Sequence, residues 1–257
     1  MTEEIKTEEK NKERKTRRDK GCIQATERDL HCLAWIAEQY AIRVDQFSEL
    51  LSRYPDPKHP FRGKVIAETS MRDQITRWRK AGWVECEKVL SKEPAYLWPT
   101  RRGLETVNLA DIYTARAPAS VRLTHIFAVN QIRLALDDRY IWKSERRYHR
   151  ERLEEVGAKK SPGPIPDGLA CGKNGWLAVE VEMTEKKPAD LEKKLYQLVQ
   201  GSTSFGGMFG GFPKAWVFVP SERMNALVTA ARAKLDDKDK ARIQITTYPS
   251  LVPPERR

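Results

Sequence analysis

Ile165–Met183, IPDGLACGKNGWLAVEVEM, reads as two strands joined by a tight turn. Ile165–Ala170 and Trp176–Met183 are the strands, and Gly172-Lys173-Asn174-Gly175 closes them as a hairpin. Alternate residues of a strand point the same way, so Glu180 and Glu182 share one face. Val179 and Val181 then face the other way, into a core. Pairing of the two strands brings Asp167 beside Glu180. The second strand carries Trp176, Leu177, Ala178, Val179 and Val181, which suits a central position in a sheet, where bare carboxylates are costly. Carboxylates gathered at one point repel one another unless a cation sits among them. Mg²⁺ or Mn²⁺, with oxygen ligands and retained waters, is the natural occupant, and Asp167 and Glu180 are its candidate ligands. Such an ion polarises a phosphate and acidifies a water. Glu182 can orient or deprotonate that water, and Lys193 or Lys194 can approach the phosphate. The structural alternative is neutralisation of the same carboxylates by Lys186, Lys187, Lys193 and Lys194.

Around the hairpin the elements alternate. Val121–Leu136 has the spacing of an amphipathic helix. Tyr140-Ile141-Trp142 starts a strand that runs into Ser144-Glu145-Arg146. Lys159–Pro166 is a loop. Pro188 opens a helix carrying Leu191, Leu195, Leu198 and Val199. Gly201–Gly211 is a glycine-rich loop without the Gly-Lys-Ser/Thr of a phosphate-binding loop. Ala215–Val219, Met224–Leu235 and Ile243–Thr247 complete the pattern as strand, helix and strand. Residues 118–257 therefore read as an α/β domain with a central mixed sheet. His125 reads as a core or surface residue of the long helix, and Glu145 as either a ligand or a salt-bridge partner.

Upstream the pattern differs. Residues 1–20 are almost entirely charged or polar and offer nothing to bury, so a disordered tail is expected. Residues 21–117 read as a second domain. Thr26 caps a helix bearing Leu30, Leu33 and Ile36, Val44–Leu51 fits a second helix, and Pro55, Pro57 and Pro60 mark a loop. Thr69-Ser70 caps a third helix, Met71–Ala81, ended by Gly82. Trp83–Glu87 and Ala95–Trp98 pair around Ser91-Lys92-Glu93-Pro94, and a short helical stretch opens at Thr100. The third helix offers Arg72, Gln74, Arg77, Arg79 and Lys80, and Arg101 and Arg102 follow the hairpin. Three helices and a two-stranded wing place a basic helix where it can enter a major groove.

The 257 residues carry a net charge of +11 and 40% hydrophobic residues, which suits packed domains with a polyanionic partner. Cys22, Cys32, Cys86 and Cys171 lack zinc-site spacing and suggest buried thiols in a reducing compartment. No apolar run approaches the roughly 20 residues of a membrane helix, and the N-terminus is charged, so the expectation is a cytoplasmic protein.

The segment from Trp78-Arg79-Lys80-Ala81-Gly82-Trp83 through Tyr96-Leu97-Trp98-Pro99-Thr100 to Arg102-Gly103-Leu104 resembles winged helix-turn-helix regulators. Pro166-Asp167 with Glu180-Val181-Glu182 resembles the PD-(D/E)XK nucleases, the departure being Glu182 where the common pattern has lysine. Together with Leu123-Thr124-His125, Asn130 and Trp142-Lys143-Ser144-Glu145-Arg146, these segments resemble the replication-relaxation family of plasmids and integrative elements. That resemblance implies a winged helix joined to a restriction-endonuclease-like domain, acting in replication, nicking or transfer of a mobile element. It implies duplex DNA as partner, with other replication or mobilisation proteins or a second copy of the chain alongside. Two functions remain: a Mg²⁺-dependent endodeoxyribonuclease guided by the winged helix, or a non-catalytic DNA-binding accessory or regulator that keeps the nuclease-like domain as a scaffold.

Overall fold

The computed structural model describes residues 23–53, 66–136, 139–156, 165–204 and 214–252. The expected tail, the Pro55–Pro60 loop and most of the loop before Pro166 lie outside these residues. The described residues form an α+β structure with one three-stranded and one five-stranded sheet.

In the N-terminal half, α1 (Glu27–Glu38) starts at Thr26, whose hydroxyl accepts from the Asp29 amide while Asp29 accepts from the Thr26 amide. This reciprocal cap satisfies two donors that a helix start leaves open. β1 (Ile42–Arg43), α2 (Val44–Ser52) and α3 (Glu68–Lys80) follow. The third helix begins earlier than the sequence suggested: its N-cap is Ala67, so Thr69 and Ser70 lie inside the first turn and do not cap it. Its end is as expected. Gly82, at φ 71°, donates to the Arg79 carbonyl and Trp83 donates to that of Trp78, closing a Schellman turn that needs the left-handed residue. β2 (Val84–Glu87) and β3 (Tyr96–Pro99) pair antiparallel, and β1 adds to β3, giving the order β1-β3-β2. β1 was not foreseen; two residues carry no periodicity. α4 (Arg101–Thr106) is capped by Thr100.

The C-terminal half is α5 (Ser120–Leu136), β4 (Ile141–Ser144), α6 (Glu145–Val156), β5 (Gly168–Gly172), β6 (Gly175–Val181), α7 (Pro188–Ser204), β7 (Lys214–Val219), α8 (Glu222–Ala233), α9 (Asp237–Lys240) and β8 (Ile243–Thr247), ending in a 3-10 turn at Pro249–Leu251. The sheet order is β4-β5-β6-β7-β8. The first two pairings are antiparallel and the last two parallel, so β6 is the middle strand of a mixed sheet. Ala170, Val179, Val181 and Phe218 pack toward α5; Leu169, Ala178, Val217 and Val219 pack toward α7 and α8. Three expectations change. Ile165 and Pro166 precede the strand, which starts at Gly168. β4 stops at Ser144 and does not run on through Glu145-Arg146, because a helix begins at Glu145. The stretch from Gly201 does not open as a loop, because α7 runs to Ser204; residues 205–213 lie outside the described ones.

α5 is buried on nearly all sides. Leu123 and Ile126 pack with Ala41, Tyr96 and Trp98; Leu134 joins the core of α1–α3; Ala128, Val129, Ile132 and Leu136 cover the large sheet. Asn130 donates to the Ala41 carbonyl at 2.9 Å, Gln46 to the Phe127 carbonyl at 2.8 Å and Arg133 to the Trp35 carbonyl at 3.3 Å. One helix thus serves as core for both halves.

Candidate functional site

The β5–β6 register sets the site. Gly168 pairs with Val179, so Asp167, one residue earlier, falls beside Glu180. One carboxylate oxygen of Asp167 accepts the Val181 amide at 2.8 Å, and the other lies 2.7 Å from Nε2 of His125 on α5. Glu180 and Glu182 are 5% and 4% exposed and belong to the sheet face under α7. From that helix Lys194 reaches between them: its ammonium pairs with Glu180 and lies 2.9 Å from Glu182. Lys194 stands there because Leu191, Leu195 and Leu198 bury the same side of α7 against the sheet. Lys186 adds a 2.7 Å contact to Glu182. Lys193 is exposed.

Electrostatics divide the three acids. Burial pushes each upward, since desolvation disfavours a charged carboxylate. For Asp167 this is outweighed by His125, the Val181 amide and Lys194, which hold it below the usual carboxylate range. Glu182 is likewise held low by Lys194 and Lys186. Glu180 is not rescued: burial and the neighbouring charge of Asp167 push it up to about 8, with Lys194 a partial offset. Burial would lower Lys194 and His125, but the carboxylates around them raise both. The surroundings thus favour the ionised form of Asp167 and drive Glu180 toward its neutral form.

Among the described residues, no group of three or more His, Cys, Asp or Glu side chains is gathered as a metal site. Asp167 and Glu180 are a two-carboxylate donor set of hard oxygens. That suits Mg²⁺, which commonly takes one or two protein carboxylates and keeps its waters. Burial first, and the Asp167 charge second, raise Glu180, and a bound cation would offset the second of these.

His125 was read as a core or surface residue, yet it bonds Asp167. The available signal was its place as a titratable side chain beside the apolar run Ile126–Val129 of a largely buried helix. Glu145 takes its salt-bridge alternative: Arg122 lies 3.3 Å away, and the Glu145 amide donates to the Asp167 carbonyl. Tyr40, Arg122, His125, Glu145, Arg146 and Asp167 line one cleft where the two halves meet. Tyr40 has φ 68°, rare for a bulky residue, and its ring lies under Arg122 and Arg146 at 4.9 and 4.8 Å.

The basic residues of the N-terminal half separate into two groups. Gln74 and Arg77 turn inward to Asp29, which is 1% exposed and also accepts from the Trp78 indole at 2.8 Å. Arg72 is exposed and paired with Glu68 at 2.5 Å, and Arg101 with Glu105 at 2.9 Å. Arg79, Lys80 and Arg102 are exposed. The hairpin adds exposed Lys88 and Lys92, which the sequence reading did not single out.

Among the described residues no helix is long and apolar enough to cross a membrane. Cys32, Cys86 and Cys171 are free thiols, Cys32 buried and the other two half-buried. Comparison of the chain with family models, curated proteins and solved structures finds no match.

Proposed function

We propose that this is a DNA-binding protein with a metal-dependent phosphodiester hydrolase site, a winged helix-turn-helix joined to a restriction-endonuclease-like domain. The single observation that carries the reading is the meeting of Asp167, Glu180, Glu182 and Lys194 at one end of the middle strand. The order of three helices, hairpin and added strand supports the winged helix, and the mixed sheet between α5 and α7–α8 supports the nuclease-like half. The common nuclease pattern has lysine where Glu182 stands; here Lys194 brings the ammonium from α7.

Asp167 and Glu180 would hold Mg²⁺ or Mn²⁺. Bound there, the ion would polarise a phosphate oxygen and acidify a water. Asp167 is already ionised and oriented by His125 and the Val181 amide. With a cation held there, Glu180 would lose its proton and serve as the second ligand. Ionised Glu182 would accept a proton from the attacking water, and Lys194 would donate to the phosphate. Exposed Arg72, Arg79, Lys80, Arg101 and Arg102 supply duplex contacts, while Gln74 and Arg77 support the helix from behind. Replication, nicking or transfer of a mobile element in the cytoplasm is the setting that the family resemblance offers, with other replication or mobilisation proteins or a second copy as partners.

The test is incubation of the purified protein with supercoiled and linear DNA in Mg²⁺, Mn²⁺ or EDTA, beside Asp167→Ala. Nicking or cutting in metal, abolished by EDTA and by the substitution, is expected. A second reading has its own observation: Lys186 and Lys194 already neutralise Glu182 and contact Glu180, so the cluster can persist without any ion. DNA binding with no cleavage in any of these buffers identifies the non-catalytic accessory or regulator instead.

A further inference from the structure

The turn between β2 and β3 carries exposed Lys88 and Lys92 on either side of Leu90. Leu90 packs onto the cluster of Leu123 and Ile126 from α5, with Tyr40, Tyr96 and Trp98. The turn is therefore seated at the N-terminal part of α5. There Arg122, next to Leu123, keeps 42% of its side chain exposed while its guanidinium lies over the Tyr40 ring. Three residues on, so on the same side of the helix, His125 reaches Asp167. Hairpin turn, Arg122, His125 and Asp167 thus follow one another across the junction of the two halves.

We propose that Lys88, Lys92 and Arg122 form a phosphate track that carries a duplex backbone from the hairpin to the Asp167–Glu180 site. This rests on the DNA-binding reading given above. Arg122 is suited to the role. Its bond to Glu145 is a long, partly solvated pair, the kind that contributes little, whereas a phosphate offers a guanidinium two parallel bonds. The first turn of α5 holds no acidic residue to repel a phosphate. The strained backbone of Tyr40 holds a ring beneath the guanidinium, so Arg122 is aimed before any ligand arrives. Phosphate contacts carry no base information; they set register. The track therefore fixes how far from the recognised bases a phosphodiester is presented to the carboxylates.

The experiment uses the full chain, a fluorescently labelled duplex and EDTA, with affinity followed across a salt series. Arg122→Gln keeps the stem over Tyr40 and removes the charge; Arg122→Lys restores it. Loss of one phosphate contact lowers the slope of log affinity against log salt by roughly 0.9. That drop is expected for Arg122→Gln, for Lys88→Ala and for Lys92→Ala, with recovery in Arg122→Lys, all with wild-type melting curves. Slopes unchanged in these variants but reduced in Arg79→Ala and Lys80→Ala overturn the track and leave DNA binding standing. A wild-type protein with no salt-sensitive binding overturns both.

Discussion

Asp29 ties α1 to α3 through one nearly inaccessible carboxylate. Its carboxylate accepts from the amide of the N-cap Thr26 and from Gln74, Arg77 and Trp78. Burial works against its charge, but Arg77 leads the partners that hold its pKa below the ordinary value. Asp29→Ala leaves these donors facing an empty site. We expect a loss of about 3 kcal/mol, the low end for a broken buried pair because Arg77 remains partly solvated. Chemical denaturation measures it, and a loss within 0.5 kcal/mol, roughly the range of an ordinary surface substitution, would refute the hub. The sign with pH follows from the depressed pKa. The contribution is present above the unfolded value, near 3.9, and fades as pH falls through the folded one. Glu180 behaves oppositely. Its folded pKa, about 8, lies above the unfolded value near 4.3, so its favourable share is complete below pH ~4.3 and is lost as pH rises through 8. Glu180→Gln removes that penalty while Lys194 keeps Glu182. The variant should melt above wild type at pH 8.5, with the gap closing toward pH 5; a variant that melts below wild type at pH 8.5 would show that the Lys194 pair outweighs the repulsion.

At the scale of elements, α5 decides how the chain can be divided. A fragment of residues 23–118 ends before it and exposes Ala41, Tyr96 and Trp98, which pack on Leu123 and Ile126, and it strips Leu134 from the α1–α3 core. Extending the fragment to residue 136 restores those contacts. The longer fragment should unfold cooperatively in a circular-dichroism melt and the shorter one should not; equal melting temperatures would show that α5 belongs to one half alone. α4 gives a sharper local case. A Cβ on Gly103 would lie 2.0 Å from the Trp83 carbonyl oxygen, a backbone atom that cannot swing aside. Gly103→Ala should therefore cost about 1–3 kcal/mol, the usual range for overpacking, despite a better helix former. These elements also show why some of the fold was legible. The hairpin of Asp167 and Glu180 was readable because strand period, turn glycines and register are all local. Lys194 was reachable too, lying among the leucines of a clear amphipathic helix. α6 was missed because Glu145–Val156 has few apolar positions and, among its described side chains, only Tyr148 enters the core. Gln74 and Arg77 were assigned to an outer face because Asp29, which draws them in, is more than forty residues away and no local pattern encodes that contact.

For the whole molecule, what neutralises the carboxylates at the end of the middle strand decides how the site behaves. Lys194 of α7 meets Glu180 and Glu182 of the sheet, while Asp167, bonded to His125 of α5, also lines the cleft that holds Tyr40. A ligand held here stabilises the folded chain in proportion to its binding to that state alone, by about 2.7 kcal/mol at one hundred times its Kd. Mg²⁺ or Mn²⁺ should therefore raise the melting temperature, and Asp167→Asn should abolish the rise. Lys194 makes the argument two-sided, because its ammonium and a divalent ion compete for Glu180. Lys194→Gln should melt lower than wild type in EDTA, having lost a counter-charge of Glu182 and a partner of Glu180. The same variant should gain more from metal than wild type does, because nothing contests Glu180. A site neutralised by lysine alone gives the reverse pattern: no metal response in wild type, and Asp167→Asn destabilised equally in every buffer. Differential scanning fluorimetry of the three proteins across a metal series separates these outcomes without relying on DNA cleavage.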